Sequence, residues 1–95
     1  MNLGQAVKRV RKNKGLNQEQ FCNKIGITQS FLSGIENNKK KPSIDVIQKI
    51  AEVVDMPLPV LFWFTITEKD VHQTKLDAFK LLKPTVDKVV TDLFN

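Results

Sequence analysis

Residues 17–37 read NQEQFCNKIGITQSFLSGIEN and contain the clearest indication of how the chain folds. It contains two short segments whose apolar residues recur at helical spacing, separated by residues 26–28. The apolar positions are Phe21, Cys22 and Ile25 in the first segment and Phe31, Leu32 and Ile35 in the second. Asn17 and Thr28 stand where N-cap residues belong, and Gln20 completes a capping box with Asn17. The pattern predicts two short helices joined by a tight turn at Gly26.

The second of these helices has a polar face of unusual composition. It carries Gln29, Ser30, Ser33 and Gly34, which are small or uncharged, and three of them have side chains that form hydrogen bonds. A face that only meets water more often carries Lys and Glu. The composition therefore favours a surface that fits closely against another molecule.

The rest of the chain predicts an all-α fold. A first amphipathic helix carries Leu3, Val7 and Val10 and ends at Gly15, and Asn38 ends the third helix in the left-handed conformation. Ser43 caps a fourth helix, and residues 56–62 form a short fifth one. The apolar stripe of the fourth helix consists of Ile44, Val46, Ile47, Ile50, Ala51 and Val54.

The C-terminal part forms a second unit. Thr67 is expected to cap a sixth helix that runs to about Lys83, and Pro84 is expected to kink it or to begin a seventh. The sequence thus predicts a five-helix domain over residues 1–64 and a helical extension over residues 65–95. Because the extension cannot bury its apolar stripes alone, it dimerises, caps the five-helix core or binds a different protein; we favour dimerisation.

The distribution of charge indicates a polyanionic partner. The net charge is +5, but residues 1–41 hold nine basic and two acidic residues (+7), and residues 42–95 hold six lysines and eight acidic residues (−2). A basic half of this kind is most often directed to nucleic acid. The single Cys22, the lack of a secretory signal and the lack of an apolar run of about 18 residues lead us to expect a cytoplasmic protein.

The segment NQEQFCNKIGITQSFLSGIENNKKKPS, with LGQAVKRVRKNKGL before it and IQKIAEVVDMPLPVLF after it, resembles the lambda-repressor-like, Cro/CI-type helix-turn-helix family, also called the XRE family. The resemblance covers about residues 3–63. It implies a five-helix, DNA-binding transcriptional regulator whose third helix enters the major groove. Three positions depart from the usual family pattern. Gly34 stands where relatives often have a long base-reading side chain, Cys22 where alanine is usual, and Asn38 where glycine is common.

The resemblance assigns roles to particular residues. Bases would be read by Gln29, Ser30, Ser33 and Gly34, and Gln29 suits the paired donor and acceptor of adenine. Phosphates would be bound by Asn17, Gln18, Thr28, Asn37, Lys39, Lys40, Lys41, Arg9 and Arg11, with Lys12 and Lys14 as further candidates. The resemblance also implies an ion pair between Arg11 and Glu36, in which case removing Glu36 would destabilise the fold.

These observations lead to a ranked set of functions. We expect a repressor that binds a pseudo-palindromic site in double-stranded DNA as a homodimer. The alternative is an antitoxin-like protein that binds a partner toxin through residues 65–95 and regulates its own promoter. A third possibility is an adaptor that binds proteins without specific DNA. No enzyme, metal or cofactor is expected, because the only histidine, His72, lacks ligand neighbours in the sequence and no catalytic set of residues is recognisable.

Overall fold

A computed structural model of the chain describes residues 1–94. The predicted all-α fold is confirmed, because these residues form helices and no strand. The six α-helices are α1 (Leu3–Asn13), α2 (Gln18–Ile25), α3 (Gln29–Glu36), α4 (Ile44–Val53), α5 (Leu58–Trp63) and α6 (Leu76–Phe94). Two short 3₁₀ turns, at Glu68–Asp70 and Gln73–Lys75, lie between α5 and α6. None of the helices in the described part of the chain combines the length and apolar character that crossing a bilayer requires.

The first five helices surround one apolar core. Helix α3 packs on α1 and α2, α4 packs on α2 and α5, and α5 also packs on α1. The side chains with the largest volume that are fully buried include Phe21, Ile25, Leu32, Ile35, Ile50 and Leu61. Ile44 is an exception to the predicted stripe of α4, since it is 67% exposed. It is the first residue of α4, where its side chain lies beyond the edge of the core.

Capping hydrogen bonds and left-handed residues bound these helices where the sequence predicts. Ser43 Oγ accepts from the backbone N–H of Val46, 3.2 Å away, at the start of α4. Gly15 follows α1 with a φ of 71°, and Asn38 follows α3 with a φ of 59°. These left-handed residues stop each helix and turn the chain back, so the predicted ends of α1 and α3 are confirmed.

The C-terminal extension differs from the prediction in two ways. Thr67 does not cap a long helix: Asp70 accepts from its backbone N–H at 2.8 Å, within the first 3₁₀ turn. Of the two alternatives predicted at Pro84, a kink or the start of a seventh helix, the second is wrong, because Pro84 lies inside the single helix α6. Pro84 has no N–H to donate to the Lys80 carbonyl. Because Lys80 and Pro84 are both exposed, water can solvate that carbonyl. The last residue of the predicted extension, Asn95, lies outside the described residues.

Candidate nucleic-acid interface

The turn between α2 and α3 is built from local hydrogen bonds. Asn17 Oδ1 accepts from the Gln20 N–H at 2.8 Å, and Gln20 Oε1 accepts from the Asn17 N–H at 3.0 Å. At the other end of α2, Gly26 has a φ of 86° and donates its N–H to the Cys22 carbonyl. Thr28 Oγ1 then accepts from the Phe31 N–H at 3.1 Å and begins α3. The two helices are therefore capped at the turn, which fixes the direction of α3.

Close packing against α1 holds α3 in place. Leu32 and Ile35 are fully buried, and the backbone of α1 approaches the last turn of α3 at Gly4. A Cβ added to Gly4 would lie 2.5 Å from the carbonyl oxygens of both Ile35 and Glu36. The Gly4 N–H also donates to Asn38 Oδ1 at 2.9 Å. Only glycine permits α1 to lie this close to the end of α3.

A buried carboxylate connects the ends of three helices. Glu36 on α3 accepts from Arg11 Nε at 2.7 Å and Nη2 at 3.1 Å, and it also accepts from Gln18 Nε2 at 3.1 Å. The third guanidinium nitrogen of Arg11, Nη1, donates to the Leu16 carbonyl at 2.7 Å. The side chains of Arg11 and Glu36 are only 8% and 3% exposed. This geometry uses Arg11 inside the molecule and orients the start of α2 relative to α3.

The outer face of α3 carries the residues that the sequence assigns to base contacts. Gln29 and Ser30 are exposed, and Ser33 and Gly34 are half-buried. Asn37 follows at the end of the helix and donates its Nδ2 hydrogens to the Ser33 carbonyl at 3.0 Å. None of these residues is charged, so the face offers hydrogen-bond donors and acceptors without a fixed charge.

Polar and basic groups flank this face. Asn17 and Thr28 are exposed at the starts of α2 and α3, and the lysines Lys39, Lys40 and Lys41 are exposed in the loop after α3. The side chain of Gln18 is half-buried and engaged with Glu36, which leaves its backbone N–H at the start of α2. A helix N-terminus presents free N–H groups that favour anions.

One lysine near the end of α3 was not among the residues that the sequence analysis assigned to phosphate contacts. Lys8 and Lys12 on α1 line a hollow of about 490 Å³, together with Arg9 and with Asn37 and Asn38 at the end of α3. Lys12 was among the further candidates, whereas Lys8 had no role in the prediction. The two lysines are four residues apart and therefore lie on one face of α1. Their position beside the end of α3 depends on how α1 packs, which local sequence does not specify.

Two other basic residues of α1 contact the C-terminal helix instead. Arg9 Nη1 lies 3.0 Å from Asp87 Oδ2 on α6, and its guanidinium carbon lies 4.7 Å from the centre of the Phe64 ring. Lys14 Nζ donates to the Phe94 carbonyl at 2.7 Å, at the C-terminal end of α6, where the helix dipole favours a cation. The structure therefore does not present the Arg9 and Lys14 head groups as free cations.

Asp87 is the main polar contact between α6 and the first five helices. Its Oδ1 accepts from Trp63 Nε1 at 2.8 Å and from Lys83 at 3.0 Å, and its Oδ2 accepts from Arg9. Burial raises the pKa of Asp87, but the hydrogen bonds from Lys83, Trp63 and Arg9 outweigh it and hold the pKa below its ordinary value. The group is thus held as a carboxylate that accepts from three side chains.

The opposite side of α6 exposes apolar side chains. Leu81 is 76% exposed, Leu82 58%, Val89 54% and Leu93 70%. Their spacing places them on one side of a 19-residue helix, away from Asp87. We call this group, together with Ala78, the outer face of α6. Within residues 1–94 no other element covers it.

Comparison with known proteins agrees with this geometry. The sequence profile of the helix-turn-helix family matches residues 7–61. The HTH-type transcriptional regulator SinR of Bacillus subtilis (strain 168) is 36% identical over 77 residues, which cover 80% of this chain and 64% of that protein. The chain therefore spans less than two thirds of the length of SinR.

Two further relatives have different descriptions. The ImmF control region 10 kDa protein of Bacillus phage phi105 is 36% identical over 59 residues, covering 62% of this chain and 66% of that protein. Antitoxin HipB of Escherichia coli O6:H1 is 34% identical over 56 residues, covering 59% of this chain and 60% of that protein.

Proposed function

The chain belongs to the helix-turn-helix family of the Cro/CI (XRE) type, and on that premise we propose that it is a sequence-specific, double-stranded DNA-binding transcriptional regulator. The observation that carries this proposal is the outer surface of α3, where the exposed Gln29 and Ser30 and the half-buried Ser33 precede the exposed lysines of the loop after α3. An α-helix fits the major groove of B-form DNA, where base edges offer donors and acceptors to such side chains. Because the residues that α3 itself contributes to this face are uncharged, the helix can approach the bases closely.

We assign base readout chiefly to Gln29, whose amide can donate to adenine N7 and accept from adenine N6. Ser30 and Ser33 are short and can bond several base edges, so they contribute less discrimination. Gly34 offers no side-chain hydrogen bond of its own.

The phosphates on either side of α3 would be bound by a surrounding set of groups. Asn17 and the free N–H groups at the start of α2 serve one strand, together with Thr28. Asn37, Lys39 and Lys41 follow α3, and Lys8 and Lys12 border the hollow beside its end. Because Arg9 and Arg11 are engaged by Asp87 and Glu36, we leave both out of this set. The proposed contacts make affinity strongly dependent on salt.

We further propose that the protein acts as a homodimer and as a repressor. Dimeric helix-turn-helix proteins bind two half-sites about 34 Å apart, which is one turn of the duplex. A two-fold symmetric dimer therefore matches a pseudo-palindromic site. The outer face of α6 supplies an uncovered apolar surface for the second copy. Repression would follow if the bound dimer blocks a promoter.

Selection of bound duplexes from a random pool tests the proposal, with the mass of the complex measured by light scattering. We expect a pseudo-palindromic site bound by two copies. Gln29→Ala should reduce the difference in free energy between specific and non-specific binding by about 1–3 kcal/mol, because one paired base contact is lost. Gln48→Ala, an exposed glutamine on α4, is the matched control and should leave the ratio unchanged. If the wild-type protein enriches no sequence at low salt, the proposal is wrong.

Purification of the protein from cells tests the alternative of a toxin partner. A stoichiometric second protein that co-purifies through residues 65–95 would favour an antitoxin-like function. That second candidate has the support of one relative described as an antitoxin and of the uncovered outer face of α6.

A further inference from the structure

The loop that follows α3 folds back onto Gly34. The backbone N–H groups of Lys39 and Lys40 both donate to the Gly34 carbonyl, at 2.8 and 3.0 Å. Asn38, with a φ of 59°, makes the reversal possible. The loop is therefore fastened to the last turn of α3 by its backbone, independently of side-chain conformations.

This arrangement places the Lys40 side chain on top of Gly34. A Cβ added to Gly34 would lie 2.5 Å from Lys40 Cγ and 3.2 Å from Lys40 Cβ. The second distance depends on the backbone alone, so a different rotamer of Lys40 would not relieve it. Gly34 thus leaves a notch on α3, and the aliphatic stem of Lys40 fills it.

The position of this notch matters because it belongs to the outer surface of α3. Gly34 comes one helical turn after Ser30, and both are on the side of α3 that faces away from the buried Leu32 and Ile35. Lys40 is exposed, and its ammonium forms no ion pair with any carboxylate among residues 1–94. The aliphatic stem of a lysine without an ion-pair partner accordingly lies where a side chain at position 34 would begin.

We propose that Lys40 reads a base, with its ammonium taking the major-groove position that Gly34 leaves without a side chain. This inference rests on the proposed function and names a specificity-determining residue for it. An ammonium carries three donors and no acceptor, so it selects the base edge with the most acceptors. That edge is guanine, whose O6 and N7 lie side by side in the major groove. Lys40 therefore differs from Lys39 and Lys41, for which the structure gives no such contact with Gly34.

The test uses variants that retain the stem and remove the charge. Lys40→Met, Lys39→Met and Lys41→Met are compared with the wild type by selection of duplexes and by affinity for single-base variants of the selected site. We expect the wild type to prefer guanine by about tenfold at one position in each half-site. Lys40→Met should lose that preference and keep the others, whereas Lys39→Met and Lys41→Met should weaken all duplexes alike.

A second variant tests the notch itself. Gly34→Gln places an amide at position 34 and moves both the Lys40 stem and the loop backbone away from α3. The preference at the same base pair should therefore change from guanine to adenine. Circular dichroism and the thermal midpoint establish that each variant is folded. If the wild type selects a site but Lys40→Met weakens every duplex equally and keeps every base preference, the inference is overturned and the proposed function stands. If the wild type selects no site, both are overturned.

Discussion

The Glu36 carboxylate shows how one residue can support a whole surface. It accepts from Arg11 on α1 and Gln18 on α2, so the two helices that orient α3 both depend on it. Nearly complete burial means that a change at Glu36 leaves the Arg11 guanidinium without its partner in a poorly hydrated site. The cost of the change therefore comes mainly from the cation that remains.

We predict that Glu36→Ala lowers the free energy of unfolding by about 3–5 kcal/mol, because it leaves Arg11 buried and unpaired. Urea denaturation followed by circular dichroism measures the effect. Glu19→Ala, an exposed glutamate on α2, is the control and should change the stability by less than about 0.5 kcal/mol. An equal midpoint for both variants would contradict the structural role assigned to Glu36.

Gly4 gives a second residue-scale prediction, with a sign opposite to the usual one. Alanine normally stabilises a helix interior relative to glycine by roughly 0.5–1 kcal/mol. At Gly4 the new Cβ would meet two backbone carbonyl oxygens at 2.5 Å, so α1 must move away from α3. Gly4→Ala should therefore lower the thermal midpoint, and Lys8→Ala on the exposed side of α1 should not. A stabilised Gly4→Ala protein would show that the two helices are not in close contact.

The residues that local sequence predicted well are those whose roles are local. Asn17, Thr28 and Ser43 cap helices because their side chains bond the backbone three residues ahead, and that relation is visible in the sequence. The positions of Lys8 and Lys40 relative to α3 were not predictable in the same way. They depend on the packing of α1 and on the fold-back of a loop onto Gly34, and neither contact involves residues adjacent in sequence.

At the scale of elements, α6 is held by polar contacts that the sequence did not indicate. Pro84 suggested an interruption, because proline breaks the hydrogen bonding of a helix. The helix continues because Pro84 lies on its exposed side, where water can reach the Lys80 carbonyl that the proline leaves without a donor. Asp87 was not singled out in the sequence, although it contacts α1 and α5 at once. A lone acidic residue on a predicted amphipathic helix gives no local signal of such a role.

We predict that acid weakens the attachment of α6. Because the pKa of Asp87 is lower in the folded protein than its ordinary value, its contribution to stability is present above about pH 4. The contribution is lost as the pH falls through the lowered pKa. Trp63 is the only tryptophan and donates to Asp87, so its emission should report the release of α6 in an acid titration.

Asp87→Asn provides the comparison for that titration. It removes the charge at all pH values, so the emission of Trp63 at neutral pH should already resemble that of the acid form. Asp77→Asn, an exposed position on α6, should titrate like the wild type. A wild-type emission that stays constant until the whole chain unfolds would contradict a separate release of α6.

At the scale of the whole molecule, the charge and the apolar surface lie on different parts of the chain. The net positive charge belongs to residues 1–41, which include α1, α2 and α3, whereas the uncovered apolar side chains are concentrated on α6. The outer surface of α3 can thus contact DNA while the outer face of α6 contacts a second copy.

This division predicts that dimerisation and half-site binding can be separated. Leu82→Glu combined with Leu93→Glu puts charge on the outer face of α6, so the dimer should dissociate to monomers in light scattering. The variant should keep its helical content and bind a single half-site as the wild type does, because α3 is unchanged. Its affinity for the full site should fall, and the slope of log affinity against log salt should decrease by about half, because a monomer contacts half as many phosphates. Lys80→Gln together with Lys88→Gln introduces the same change in charge on α6 outside the outer face and should remain dimeric. A double-glutamate variant that stays dimeric would move the interface between copies to another surface.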